Sequence, residues 1–313
     1  MSKVLVTGGA GFIGSHLADY LLEGNHEVIA VDNFYTGSKN NLQHLKNHKN
    51  FKLVDQDINQ PFDVGAVDQI YNLACPASPV HYVRDPLFTI KTNTQGMINM
   101  LEYAKKYQAK ILQASTSEVY GDPLSHPQAE AYWGNVNLLG PRACYDEGKR
   151  LAETLCYNYK NIFNLDVKIV RIFNTYGPRM AYDDGRALPN FIKQCLLGEE
   201  LTVYGRGKQT RSLMYVADLV KGLVKMMSLP NYLGPVNLGN PDKELSMLGL
   251  AKLVAQTCQV KPKIVYRALP QNDPLKRRPD ISLAKKELAW VPEIGLKQGL
   301  KLTIEDFRLR LKV

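Results

Sequence analysis

The sequence predicts an α/β fold: a doubly wound parallel sheet followed by a smaller C-terminal lobe. Short β-rich apolar runs alternate with longer helical patterns through the first half, the signature of a parallel sheet with helices on both faces. A glycine cluster follows directly on the first of these runs and opens the first helical pattern. Beyond Pro178 the pattern loosens into shorter helices separated by Gly, Pro and charged residues, as expected of a second lobe.

Taken in order, the expected strands are Lys3–Thr7, Glu27–Val31, Phe51–Val54, Gln69–Leu73, Lys110–Ala114 and Val167–Phe173. Each is a short run bounded by turn-forming or charged residues, too short for a helix of ordinary length. The helical patterns are Phe12–Glu23, Leu87–Tyr107 and Tyr145–Asn161, with Pro86 suited to the first turn of the second. In the later part, helices are expected at Leu188–Leu197 and Ser246–Gln256. The segments Tyr215–Met227 and Val236–Leu238 return to the sheet. The expected division is therefore a dinucleotide-binding domain over 1–176, with returning segments near 215–240, interleaved with a substrate-binding lobe over 177–313.

Composition narrows the function classes. At 313 residues, with a 45% hydrophobic and 22% charged share, the chain is an ordinary globular protein. No apolar run approaches the roughly 18 residues of a membrane span. Five cysteines, odd in number and without a Cys-x-x-Cys pair, favour reduced thiols over a disulfide framework or a zinc site. The six histidines show no metal-ligand spacing, so no metal is expected. These features lead to the expectation of a cytoplasmic protein. The net charge of +9 would suit nucleic acid, but its Lys and Arg are spread along the chain without aromatic interleaving. A basic enzyme for a small polyanion accounts for it equally well.

The glycine cluster is the first chemical motif. Strand Lys3–Thr7 leads into Gly8-Gly9-Ala10-Gly11-Phe12-Ile13-Gly14, which lets backbone N–H groups at a helix start approach a pyrophosphate. Asp32 ends the next strand, 18 positions beyond Gly14 (32 − 14), where a carboxylate binds ribose hydroxyls and repels a 2′-phosphate. This is a Rossmann-type loop favouring NAD. Asp57, after the third strand, could address the adenine.

The second motif is Thr116-Ser117-Glu118 followed by Tyr145-x-x-x-Lys149. Thr116 and Ser117 lie past the carboxyl end of a strand, where open α/β sheets bind ligands. Tyr145 and Lys149, four apart on a helix, share one face. A phenol acting as a base near neutral pH must have its pKa of about 10 lowered by about three units. The Lys149 ammonium and a positive nicotinamide ring are expected to do this. Thr116 would hydrogen-bond the same substrate oxygen.

Across nearly its whole length the chain resembles the UDP-glucuronate decarboxylases of the extended short-chain dehydrogenase/reductase superfamily. The resemblance is carried in order by VLVTGGAGFIGSHL, VDNFYTG, CPASP, KTNTQGMINML, ASTSEVYGDP, GPRACYDEGKRLAE, RIFNTYGPRM, LTVYGRGKQTRS, VNLGNP and KRRPDI. It implies conversion of UDP-glucuronate to UDP-xylose and CO2, with NAD retained. The cofactor-binding set it implies is Gly8, Gly11, Phe12, Ile13, Gly14, Asp32, Asn33, Asp57, Ile58, Leu73, Thr92, Tyr145, Lys149 and Thr175. The implied substrate contacts are Lys91, Asn174, Arg179, Tyr204, Arg211, Tyr215 and Arg277. Glu118 gains a role beside the sugar C5, and Arg277 matches the arginine associated with the C6 carboxylate or with C5 protonation. Ser117 stands where the related 4,6-dehydratases carry an Asp that protonates a departing hydroxyl. Cys75 and Asn72 depart from the usual Ser and His, and both are expected near the cofactor. By the same resemblance, helices Leu87–Tyr107 and Tyr145–Asn161 pair across a two-fold axis into a homodimer, although burial within one chain would leave the same pattern. The competing readings are a nucleotide-sugar 4-epimerase or 4,6-dehydratase, and a non-catalytic NAD sensor.

Overall fold

The computed structural model describes residues 1–269 and 274–313. Seven parallel strands form the central sheet. From one edge to the other they run Val236–Leu238, Val167–Ile172, Lys110–Thr116, Gln69–Asn72, Lys3–Thr7, Glu27–Asp32 and Phe51–Asp55. Every adjacent pair is parallel. The apolar runs form strands here because helices cover both faces, so residues of either parity can be buried. Val4, Val6, Val28, Ala30 and Leu112 face one core, while Leu5, Ile29, Val31, Ile70 and Ile111 face the other, following the two-residue side-chain period of a strand. The chain starts in the middle of the sheet, builds outward to Phe51–Asp55, then crosses to Gln69–Asn72 on the other side of Lys3–Thr7. That reversal opens a crevice between the carboxyl ends of Lys3–Thr7 and Gln69–Asn72, the place where such sheets bind ligands.

The expected helix at Leu87–Tyr107 is continuous but not uniform. It runs as α-helix over Pro86–Lys91, widens into a π turn at Thr92–Gly96, and resumes over Met97–Tyr107. In the turn, Thr92 Oγ1 donates to the Phe88 carbonyl at 2.9 Å and Asn93 Nδ2 to that of Thr89 at 3.0 Å. Such side-chain bonds compete with the regular backbone ladder. Helix Ala143–Phe163 packs beside this turn, and a Cβ at Gly148 would lie 3.1 Å from the Asn93 side chain.

The second half is built from short pieces. Thr210–Ser212 pairs with Glu244–Ser246 on one side and Lys276–Arg277 on the other, and Leu201–Tyr204 pairs with Ile264–Arg267. Helices Ala187–Leu197, Met247–Cys258 and Leu296–Leu311 pack around them. Among the described residues, no helix is long and apolar enough to cross a membrane.

Candidate active site

A cavity of about 1360 Å³ runs from the glycine loop to the second half of the chain. Pockets for a single drug-sized ligand measure roughly 300–1,000 Å³, so this one is larger than one such ligand requires. Its glycine-loop end is built for an anion. Helix Phe12–Glu23 begins at Gly11 without a capping side chain and without an acidic residue in its first turn. The first N–H groups are thus open to a phosphate, and the positive end of the helix dipole is not neutralised. Gly8 has φ +67°, and a Cβ on Gly14 would lie 2.2 Å from the Gly8 carbonyl oxygen, so the close approach needs glycine at both. Asp32 is held by two backbone donors, Ala10 N–H to Oδ2 at 2.9 Å and Phe34 N–H to Oδ1 at 2.8 Å. Burial pushes its carboxyl up, and those two N–H groups hold it back. These features fit a dinucleotide. Asn33, Asp57, Ile58, Leu73, Thr92 and Thr175 line the same cavity as Gly8, Gly11, Phe12, Ile13, Gly14 and Asp32.

The chemical groups gather in the middle of the cavity. Strand Lys110–Thr116 delivers Thr116, whose Oγ1 accepts the Glu118 N–H at 3.2 Å and starts the tight 3₁₀ turn Ser117–Tyr120. That turn brings Ser117 and Glu118 onto the cavity wall beside Tyr145 and Lys149. Tyr145 is 6% exposed and Lys149 3%. Lys149 Nζ donates to the Ala114 carbonyl at 2.9 Å and lies 5.9 Å from the centre of the Tyr145 ring. Burial pushes the Tyr145 phenol well above 10, with a hydrogen bond to Thr116 opposing it. The depression expected from sequence drew on Lys149 and the positive nicotinamide together; in the protein alone burial prevails.

Glu118 is bracketed by two arginines. Arg277 Nη1 donates to its Oε1, and Arg142 Nη2 to its Oε2 at 2.5 Å. Burial would push the Glu118 carboxyl up, but Arg277 and Arg142 overcome it and hold the group at about 2. Arg142 Nε lies 4.0 Å from Asp146, whose carboxyl is pushed up to about 7 by burial and by the charge on Glu118. The ring of Tyr82 stacks parallel on Tyr145, with centroids 4.9 Å apart and planes 8° from parallel. Arg142 and Tyr82 were not singled out from sequence. The signal for Arg142 was available, since 142, 145, 146 and 149 are spaced three and four apart and fall on one helix face.

Of the expected substrate contacts, Asn174, Arg179, Tyr204 and Arg211 line the cavity. Arg179 lies at the glycine-loop end, paired with Asp19 of helix Phe12–Glu23. The three others, Lys91, Tyr215 and Arg277, are not among the lining residues. Lys91 is exposed on the outer side of its helix, while its neighbours Phe88 and Thr92, four apart, turn inward. Tyr215 is 8% exposed and packs edge-on against Tyr176 at 5.7 Å in the core. Arg277 is 2% exposed and sits behind Glu118, its Nη2 also donating to the Gly121 carbonyl at 3.0 Å. Cys75 reaches the cavity, where its Sγ accepts a hydrogen bond from Asn93 at 3.2 Å. Asn72 does not; it forms a buried ladder inside the sheet, accepting from Thr7 at 2.6 Å and donating to Gln113 at 2.7 Å. Among the described residues, no group of three or more His, Cys, Asp or Glu is placed to hold a metal.

Comparison with known proteins agrees with this geometry. Residues 4–239 match the NAD dependent epimerase/dehydratase family. The chain is 56% identical over 309 residues to UDP-glucuronic acid decarboxylase 4 of Arabidopsis thaliana, spanning 99% of this chain and 69% of that one. It is 53% identical over 310 residues to UDP-glucuronic acid decarboxylase 1 of Xenopus tropicalis, spanning 99% and 73%. The solved structure of UDP-glucuronic acid 4-epimerase from Bacillus cereus, in complex with UDP-glucuronic acid and NAD, superposes with a TM-score of 0.90 at 29% identity, over 98% of this chain and 99% of that one. A glycine-cradled anion site, a Thr/Tyr/Lys cluster and a match over nearly the whole chain lead to one assignment: the chain belongs to the NAD dependent epimerase/dehydratase family, and within it to the UDP-glucuronic acid decarboxylases.

Proposed function

We propose that the chain converts UDP-glucuronate to UDP-xylose and CO2 through a 4-keto intermediate. The observation that carries this is the placement of Thr116, Tyr145 and Lys149 in one cavity with an arginine-bracketed Glu118. Held by the glycine loop and Asp32, NAD would supply a hydride acceptor and later donor for C4, together with a positive charge that favours the phenolate of Tyr145. Tyr145 takes the proton of the C4 hydroxyl, and Thr116 hydrogen-bonds the same oxygen. The C4 ketone is β to the C6 carboxylate, so the electrons of the breaking C5–C6 bond pass to the C4 oxygen as CO2 leaves. In this reading Tyr145 and Thr116 face that oxygen and stabilise its charge, which needs no further electron sink. A proton then adds to C5, beside which the family resemblance puts Glu118, and C4 is reduced again; the balance is one UDP-glucuronate and one proton to UDP-xylose and CO2. Ser117 suits this course, because no departing hydroxyl needs an acid at its position.

In this reading Asn174, Tyr204 and Arg211, which line the cavity, meet the nucleotide and its phosphates, where cations and hydrogen-bond donors stabilise about three negative charges. Pairing of two copies through helices Pro86–Tyr107 and Ala143–Phe163 is supported by Leu87, Ile90 and Leu151, which are 69%, 39% and 44% exposed. The test is mass analysis of products after incubation with UDP-glucuronate. Wild type should give UDP-xylose with stoichiometric CO2, and Tyr145→Phe should lower turnover by several orders of magnitude. A 4-epimerase would consume the same substrate and return an isomer of equal mass. Unchanged turnover in Tyr145→Phe would overturn the catalytic assignment.

A further inference from the structure

Behind the reacting groups, one carboxylate ties the helix that carries Tyr145 and Lys149 to the strand that carries Thr116. Tyr145, Lys149 and Glu153 follow one another at intervals of four along helix Ala143–Phe163, so they share one side of it. Glu153 is not among the residues lining the cavity, and its side chain is 14% exposed. Ser115 Oγ donates to Glu153 Oε1 at 2.5 Å. Arg171 holds the same carboxylate with two N–H bonds, Nε to Oε1 at 2.9 Å and Nη2 to Oε2 at 2.7 Å. Ser115 and Arg171 are register partners on neighbouring strands, so this one side chain spans both.

Three consecutive residues at the end of strand Lys110–Thr116 thus each reach a different turn of the helix. The Ala114 carbonyl accepts from Lys149, Ser115 donates to Glu153, and Thr116 is hydrogen-bonded to Tyr145. The first and third bonds involve the groups that meet substrate and cofactor. Only the bond at Glu153 lies outside the cavity, where proton transfer and ligand exchange leave it undisturbed. Beside it, Ala152 and Cys156 belong to one apolar cluster with Ile111, Val167 and Ile169. Apolar burial is non-directional, so that contact holds the helix on the sheet without fixing its position along the strands. A two-pronged guanidinium–carboxylate pair does fix position. Arg171 is itself anchored, its Nη1 donating to the Tyr120 hydroxyl and to the Glu130 carbonyl, both at 3.0 Å. Buried ion pairs add little net stability over apolar packing, because desolvation offsets the attraction; what this one adds is direction.

We infer that Glu153 is a positioning residue: through Ser115 and Arg171 it fixes where Tyr145 and Lys149 stand relative to Thr116, and so sets the rate of the C4 proton and hydride step. This rests on the reading of Tyr145 and Thr116 as the groups at the C4 oxygen. Misplacing aligned groups by about 1 Å can cost on the order of a hundredfold in rate. The glycine loop belongs to a different strand and helix, so NAD keeps its main seat when this tie is loosened.

The experiment compares wild type with two variants. Glu153→Asp keeps the charge and draws it back by one methylene, whereas Ser115→Ala cuts the tie to the strand and leaves the Glu153–Arg171 pair intact. Each protein, with NAD added, is assayed on UDP-glucuronate for kcat, KM and the effect of deuterium at C4 on kcat. Ser115 also borders the cavity, so NAD affinity is measured separately by titration calorimetry. Glu153→Asp should lower kcat about ten- to a hundredfold and Ser115→Ala about three- to tenfold, with KM and NAD affinity within about threefold of wild type. The isotope effect should grow in both, because misaligned hydride transfer becomes the slow step. A merely structural role would lower the melting temperature and leave kcat of the folded protein and the isotope effect unchanged, which would overturn the inference. Loss of NAD affinity in proportion to kcat would overturn it as well. Where Glu153→Asp does not fold, Ser115→Ala decides by the same readings. Consumption of UDP-glucuronate and its C4 isotope effect are read whichever product forms, so an absence of CO2 counts against the decarboxylase reading and not against Glu153.

Discussion

At the scale of single residues, the site sets two carboxyls against each other. Glu118 is held low by Arg277 and Arg142, while Asp146, one position past Tyr145, is pushed up to about 7 by burial and by Glu118. The sign of the consequence follows from proton counting. Between the ordinary Asp range near 4 and about 7, folded Asp146 keeps a proton that the unfolded chain releases, so its titration lowers stability as pH rises through that window. Asp146→Asn removes this titration. Melting temperatures at pH 5 and pH 8 should therefore fall more in wild type than in Asp146→Asn, and equal falls would refute the assignment. The sequence made the reacting residues legible because their chemistry is local: Thr116 ends a strand, and Tyr145 and Lys149 share a helix face. It did not reveal which arginine lines the cavity. Arg277 and Arg142 both carry a fork that fits a carboxylate, and only the long-range packing of Lys276–Arg277 against Thr210–Ser212 puts one behind the other.

At the scale of elements, strands in the sheet were legible to within about two residues because all but the edge strand Phe51–Asp55 are largely buried and read as apolar runs. The π turn at Thr92–Gly96 was not, because its hydroxyl and amide side chains suit an ordinary helix equally well. Nor were the strands at 201–204, 210–212, 264–267 and 276–277, which are two to four residues long and pair across large separations in sequence. The glycine loop shows how sharply an element can depend on one position. A Cβ at Gly14 would meet the Gly8 carbonyl oxygen at 2.2 Å, a backbone atom that cannot swing aside, whereas a Cβ at Gly295 meets nothing within 4 Å. Gly14→Ala should weaken NAD binding by at least about tenfold, the effect of roughly 1.4 kcal/mol, while circular dichroism keeps its α/β signature. Gly295→Ala serves as the control and should bind NAD as wild type does. Titration calorimetry with NAD reads both, and full affinity in Gly14→Ala would show that the loop does not need its close approach.

At the scale of the whole molecule, the helices that carry the site also carry an apolar surface that this chain alone leaves uncovered. Leu87 and Ile90 lie three apart on Pro86–Lys91, so they share a face, and Leu151 is on Ala143–Phe163, the helix packed against it. From sequence, this stripe could not be distinguished from core, since burial inside one chain and burial between two leave the same spacing. In the structure Ala152 and Cys156 turn inward and are fully buried, while Leu151 beside them stays 44% exposed. Covering Leu87, Ile90 and Leu151 with the same face of a second copy removes apolar surface from water, at about 25 cal/mol per Å². The proposed pairing would also brace the helix that positions Tyr145 and Lys149. Light scattering should give a mass of about twice the 35.2 kDa chain. Leu87→Glu with Leu151→Glu sets like charges into the contact, and should yield a monomer with lower turnover but an intact NAD site, since neither side chain lines the cavity. A wild-type protein that scatters as a single chain at micromolar concentration would exclude the pairing. A charged double variant that stays dimeric would move the contact elsewhere.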